Sequence, residues 1–174
     1  LARMHALHRN WSEVEQLYRT SAGSDGSQGA WTALTRLALW RRGEIDLVAT
    51  MERLVREMPE GTVPNAVLSV VRDNRLPPAW HEFLATRLGP AASARSRIFF
   101  SQLEAEIHAY LGEDECVFAP LDQAVDMGLI DLAWLEGCPL FDGAVRADPR
   151  FRAALARLRD RVARILAAYR STER

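Results

Sequence analysis

The sequence predicts an all-α protein built from antiparallel helix pairs, and three observations carry that prediction. A pattern of residue types recurs at an offset of 34 residues and again at 69. Within each copy the large apolar residues fall at helical spacing, on one stripe. A glycine follows the first helix of the two clearest copies, where a left-handed cap suits a residue without a Cβ.

The first match sets Arg9-Asn10-Trp11-Ser12-Glu13-Val14 against Gly43-Glu44-Ile45-Asp46-Leu47-Val48. The second pairs Trp31 with Phe100, Leu34 with Leu103, Ala38 with Ile107, Gly43 with Gly112 and Val48 with Val117. Trp31, Leu34 and Ala38 stand at i, i+3 and i+7, one stripe of a helix, and Phe100, Leu103 and Ile107 repeat it. Second helices follow, carrying Ile45, Val48, Met51 and Val55 in one copy and Val117, Leu121, Ala124 and Val125 in the other. A single hairpin of this kind cannot bury its own apolar face, so neighbouring pairs are expected to stack.

Between the copies lies a degenerate unit. Val63 to Asn74 reads as a helix with Ala66, Val67, Val70 and Val71 apolar. Leu76-Pro77-Pro78 breaks it, and Pro78 suits the first turn of a second helix that carries Trp80, Phe83, Leu84 and Leu88 as far as Gly89-Pro90. Ser21 to Ser27 and Pro59 to Thr62 are polar connectors. In the last stretch Asp148 is placed to cap, and Pro149 to open, a long helix reaching about Tyr169. The opening run from Leu1 to Leu7 reads as mid-helix, so the chain is expected to be a segment of a longer protein.

The 34-residue unit with its stripe and turn glycine resembles tetratricopeptide repeats over residues 1–128, the first unit truncated and the third degenerate. The resemblance implies a right-handed array of antiparallel helix pairs. Two positions depart from the family pattern: only Pro59 suggests the closing proline, and Glu104 stands where a small residue is preferred. Residues 129–174, with Cys138-Pro139-Leu140-Phe141 before the final helix, are similar to the segment that closes such arrays in bacterial multidomain regulators. Those parents include Ser/Thr protein kinases of the eukaryotic type, cyclases and transcriptional activators.

Composition bounds the function. Hydrophobic residues make up 48% and charged residues 26% of the 174, which suits a folded globular chain. A net charge of -1 argues against a dedicated nucleic-acid surface. All 22 basic residues are arginine, a bias expected of a GC-rich bacterial genome. No apolar run approaches the roughly 20 residues of a membrane helix, and no signal peptide is visible. Cys116 and Cys138 are expected as free thiols in a reducing cytoplasm, Cys116 as an ordinary packed cysteine.

Catalytic motifs are absent. There is no nucleophile elbow and no zinc-protease helix, and without lysine there is no phosphate-binding loop. His5 and His8 share a helix face but lack further ligands nearby, so no metal or cofactor is expected. Acidic pairs such as Glu104 with Glu106 read as a solvated helix face.

The expected function is therefore binding of a protein or peptide partner by a non-catalytic module. In the tetratricopeptide resemblance the first helices line a concave groove. That register places Thr32, Arg36 and Trp40 on the groove side, with Ser101 and His108 in the later unit and His5 in the truncated one. Simple packing is the competing role for Trp40. On the final helix Phe151, Leu155, Leu158, Val162, Ile165 and Tyr169 form a heptad-like seam set among arginines. It reads as a capping helix over the last repeat, or as a homodimer seam. The alternatives to partner binding are a dimerisation or spacer element and a small-molecule effector pocket.

Overall fold

The computed structural model describes residues 62–172 continuously and, before them, residues 5, 8, 10, 12, 13, 16, 35–43, 48, 49, 51, 52, 55 and 56. Trp31, Thr32 and Leu34 lie outside the described residues, and with them the pairings of Trp31 with Phe100 and of Leu34 with Leu103. Among the described residues every regular element is a helix and none is a strand, as an all-α chain requires. No described helix is long and apolar enough to cross a membrane. Two compact units divide the chain, Leu1–Ala85 and Thr86–Arg174.

In the first unit residues 35–40 are helical and buried throughout. The helix ends on a paired cap in which the Gly43 N–H donates to the Ala38 carbonyl and the Arg42 N–H to the Leu39 carbonyl, each at 2.9 Å. Arg42 takes the left-handed conformation at φ 49° and Gly43 follows at φ 72°. Met51 and Val55 are buried beyond this turn. Helix α1 (Val63–Asp73) starts with a proline in its first turn and stops where Asn74, left-handed, donates its N–H to the Val70 carbonyl. Its buried face is Pro64, Ala66, Val67, Leu68 and Val70. Helix α2 (Trp80–Leu88) buries Trp80 and Leu84, and the Trp80 and Phe83 rings stack at 5.4 Å.

The second unit centres on α3 (Ala94–Leu111), opened by the Ser93 hydroxyl accepting from the Ser96 N–H. This helix is buried over most of its circumference, from Phe100 to Ala109. A tight turn with Gly112 left-handed at φ 73° joins it to α4 (Asp114–Asp126). The cap repeats the first unit's pattern: Glu113 N–H to the His108 carbonyl at 2.9 Å and Gly112 N–H to the Ala109 carbonyl at 3.4 Å. The left-handed inner position is thus Gly112 in one turn and Arg42 in the other. The sequence pairing of Gly43 with Gly112 is one residue out of register with the turn geometry.

The pair α3–α4 runs antiparallel, since Ser101 bonds Gln123 far from the turn and His108 meets Glu113 beside it. Glu106 corrects the sequence expectation. It is not on a solvated face but fully buried, its carboxylate accepting from the Trp134 indole N–H at 2.6 Å. Trp134 sits on α5 (Leu132–Gly137), capped by Asp131. The short α6 (Gly143–Ala147) buries Val145 and leads to α7 (Pro149–Thr172), which the Asp148 carboxylate opens by accepting the Arg150 N–H at 2.7 Å. Trp134 meets Phe141 edge-on at 5.2 Å, and Phe141 meets Phe151 of α7 at 5.8 Å.

Two substitutions check this core. Leu103, fully buried on α3, should lose on the order of 2–5 kcal/mol of stability when cut to Ala, measured by chemical denaturation. Trp134→Phe removes a donor from a buried carboxylate and should cost roughly 1–3 kcal/mol beyond the change in ring area.

Candidate functional site

The seam on α7 divides into two halves. Phe151, Ala154 and Leu158 are buried, and Leu155 and Val162 are half-buried. Beyond them the same stripe continues without cover, with Ile165 and Leu166 each 49% exposed and Tyr169 63% exposed. Ala154 belongs to the buried stripe although the heptad reading passed over it. Ile130, 62% exposed, follows Leu129, whose carbonyl accepts from Arg161 of α7. An apolar helix face that is half docked and half bare is the most conspicuous unpartnered surface among the described residues.

Arginines hold the docked half in place. Arg150 forks between Asp148 and Glu115 at 2.8 and 2.9 Å and lies 3.9 Å from the centre of the Phe118 ring. Arg157 pairs with Asp122 and Asp126 of α4. Arg159 reaches Glu136 at 2.6 Å. Arg161 donates to the Val125 and Leu129 carbonyls at 2.7 and 2.9 Å, adding a donor where the helical bonding pattern of α4 runs out. Past this point Arg164 pairs only within the helix, with Asp160. Helical geometry puts Arg161 on one flank of the bare stripe and Arg159 and Arg170 on the other.

Most of the predicted groove residues that are described are covered rather than exposed. Arg36 and Trp40 are buried, because the helix at 35–40 is covered on all its sides. Ser101 is also buried, its hydroxyl donating to the Gln123 side chain at 3.2 Å across the α3–α4 pair. His5 is half-buried, and Thr32 lies outside the described residues. His108 is half-buried at the α3–α4 turn, its Nδ1 2.7 Å from a Glu113 carboxylate oxygen. Cys116, expected to be packed, is exposed; Cys138 is buried, and both are free. Cys116 rides on the first turn of α4, whose inward positions go to Val117 and Phe118.

A cavity of about 230 Å³ between α1 and α2 is lined by Asn65, Ser69, Arg72, Trp80 and Phe83 among others. It falls short of the roughly 300–1,000 Å³ of ordinary ligand sites, which weighs against an effector pocket there. Comparison of the chain with protein-family models, with characterised proteins and with solved structures gives no match.

The Arg150 fork makes the docking of α7 acid-sensitive. Its hydrogen bonds hold the Asp148 and Glu115 carboxyls below the usual carboxylate range. Groups that titrate lower in the folded chain lend stability that is complete above the unfolded value and lost as pH falls through the folded one. Wild type should therefore exceed Arg150→Met in urea resistance at neutral pH, with the gap shrinking below about pH 4. Only the Phe118 stacking should remain in acid. A gap independent of pH would show that the fork does not couple to folding.

Proposed function

We propose that the chain is a non-catalytic, tetratricopeptide-like interaction module whose outer end of α7 docks onto a partner protein with an apolar, acid-rimmed surface. The observation that carries this reading is the continuation of the buried Phe151–Leu158 stripe into exposed Ile165, Leu166 and Tyr169. The repeat spacing and the like-capped turns at Arg42-Gly43 and Gly112-Glu113 support the helical-repeat assignment.

Charge selects the partner class. From Arg159 to Thr172 the helix carries four arginines and one acid, Asp160; Arg159 is paired with Glu136 and Arg164 with Asp160, which leaves Arg161 and Arg170 to flank the stripe with net positive charge. A second copy would bring the same face to itself, since a two-fold interface presents one patch to its own image. Both flanks of the stripe carry arginine, so a basic flank would meet a basic flank whether the helices ran parallel or antiparallel. Area points the same way. The stretch from Val162 to Thr172 is about 16 Å long, and a stable dimer buries roughly 800 Å² on each partner. Its own surface falls well short of that. An acidic amphipathic segment satisfies both stripe and flanks, in the helix-packing mode of peptide recognition.

The probe is a synthetic helical peptide with a leucine stripe flanked by glutamates, compared with its lysine-flanked counterpart by fluorescence anisotropy. The acidic peptide should bind, weakening as salt rises, and Ile165→Glu/Tyr169→Glu should abolish binding with unchanged thermal unfolding. Equal binding of both peptides, or none, defeats the reading. A chain that is dimeric by light scattering and turns monomeric in the double variant replaces it with self-assembly.

A further inference from the structure

We propose that the α3–α4 turn binds a divalent transition ion, zinc(II) above all, through His108 Nδ1, a Glu113 carboxylate oxygen and Cys116 Sγ. This site is independent of the surface on α7. One donor atom from each of the three side chains lies within 4.8 Å of the other two, and the imidazole nitrogen that faces Glu113 is Nδ1. Tetrahedral zinc with bonds of about 2.0–2.3 Å holds its donors roughly 3.5 Å apart, so small side-chain rotations close the set.

The backbone already fixes the geometry. His108 is in the last turn of α3, and Glu113 and Cys116 stand at the start of α4, beyond left-handed Gly112. The Glu113 N–H donates to the His108 carbonyl at 2.9 Å, and the Cys116 N–H to the Glu113 carbonyl at 2.8 Å. All three ligand positions are thereby tied within one compact turn. His108 Nδ1 and Glu113 Oε2 are already in hydrogen-bond contact, 2.7 Å apart.

The other imidazole nitrogen supplies an independent observation. His108 Nε2 lies 4.0 Å from Glu104 Oε1, one turn earlier on α3. Metal-binding histidines characteristically donate their second ring N–H to a carboxylate, which sets the tautomer and orients the ring. Glu104 lies beside that nitrogen, and a side-chain rotation would bring its carboxylate from 4.0 Å into hydrogen-bond range. Nitrogen, oxygen and sulfur together favour zinc or cobalt over magnesium or calcium. Glu113 and Cys116 are exposed, so the ion has a path in and water can take a fourth position. Binding displaces the thiol proton, takes Nδ1 of the tautomer that carries its proton on Nε2, and clasps the end of α3 to the start of α4.

The test is titration of the full chain with cobalt(II), whose thiolate complexes show a sulfur-to-metal charge-transfer absorption. That band should appear, saturate at a single site and disappear when zinc(II) displaces cobalt. Cys116→Ser should lose it, and His108→Gln and Glu113→Gln should each lose saturable binding. Glu104→Ala, acting through the imidazole, should weaken affinity by about 10–100-fold. His81→Ala, exposed on α2, should change nothing. Zinc should also raise the unfolding temperature of wild type but not of Cys116→Ser, whose fold circular dichroism verifies. Absence of the band, its survival in Cys116→Ser, or full binding in both His108→Gln and Glu113→Gln overturns the proposal.

Discussion

The second unit depends on one buried hydrogen bond, from the Trp134 indole to the Glu106 carboxylate. A carboxyl group without solvent contact is costly unless donors reach it, so the bond constrains more than it stabilises. It seats α5 on α3 at one position, because no other placement brings an indole N–H to Glu106. From Trp134 the constraint passes through edge-on rings to Phe141 and then to Phe151 in the first turn of α7. Arg146 secures the intervening loop by donating to the Phe141 and Cys138 carbonyls. The register of the closing helix is thus set from inside the core before any surface pair contributes.

The surface pairs then use arginine for what lysine does poorly. A guanidinium presents several donors in a plane, so Arg150 binds two carboxylates while stacking on Phe118, and Arg161 serves two carbonyls at once. Exposed pairs of this kind add little individually. Arg150, Arg157 and Arg161 on one flank and Arg159 on the other nevertheless orient α7 over α4 and α5, while Phe151 and Leu158 beneath supply the larger hydrophobic term, roughly 1.5–3 kcal/mol each. The arginines around the seam, which composition alone leaves as a basic halo, are mostly internal fasteners. Only those towards Thr172 remain for other tasks.

Elements with local chemistry were legible in the sequence. The Asp148-Pro149 start of α7, the Pro77-Pro78 break before α2 and the left-handed Gly112 each follow from one or two residues whose backbone preferences are strong. What depends on neighbours distant in sequence was not legible. Glu106 looks like a solvated-face residue on α3 and Ser101 like a groove residue, but that helix is covered nearly all round, so polarity no longer reports exposure. Arg36 and Trp40 are buried on a helix covered in the same way. Arg42 hides its left-handed conformation because glycine is one place later, and pattern matching follows the glycine. The His108, Glu113 and Cys116 grouping was readable only after the turn was drawn, since spacings of five and three residues align donors only across a reversal of chain direction. Why the heptad stripe stops being buried after Val162 is plain from chain length: α4 and α5 offer no more surface to cover it.

The division of α7 has a consequence for time as well as for contact. Amide protons along one continuous helix will exchange on two scales: slow where Phe151 to Leu158 must be uncovered first, fast towards Thr172, where opening disturbs little else. An unsupported stretch of some three turns is marginal as a helix in water. A partner seated on Ile165 and Tyr169 would also have to hold those turns wound, and part of its binding energy would go to that ordering. Occupancy of the surface would then be read out some distance away, as slower exchange spreading back along the helix towards Asp148.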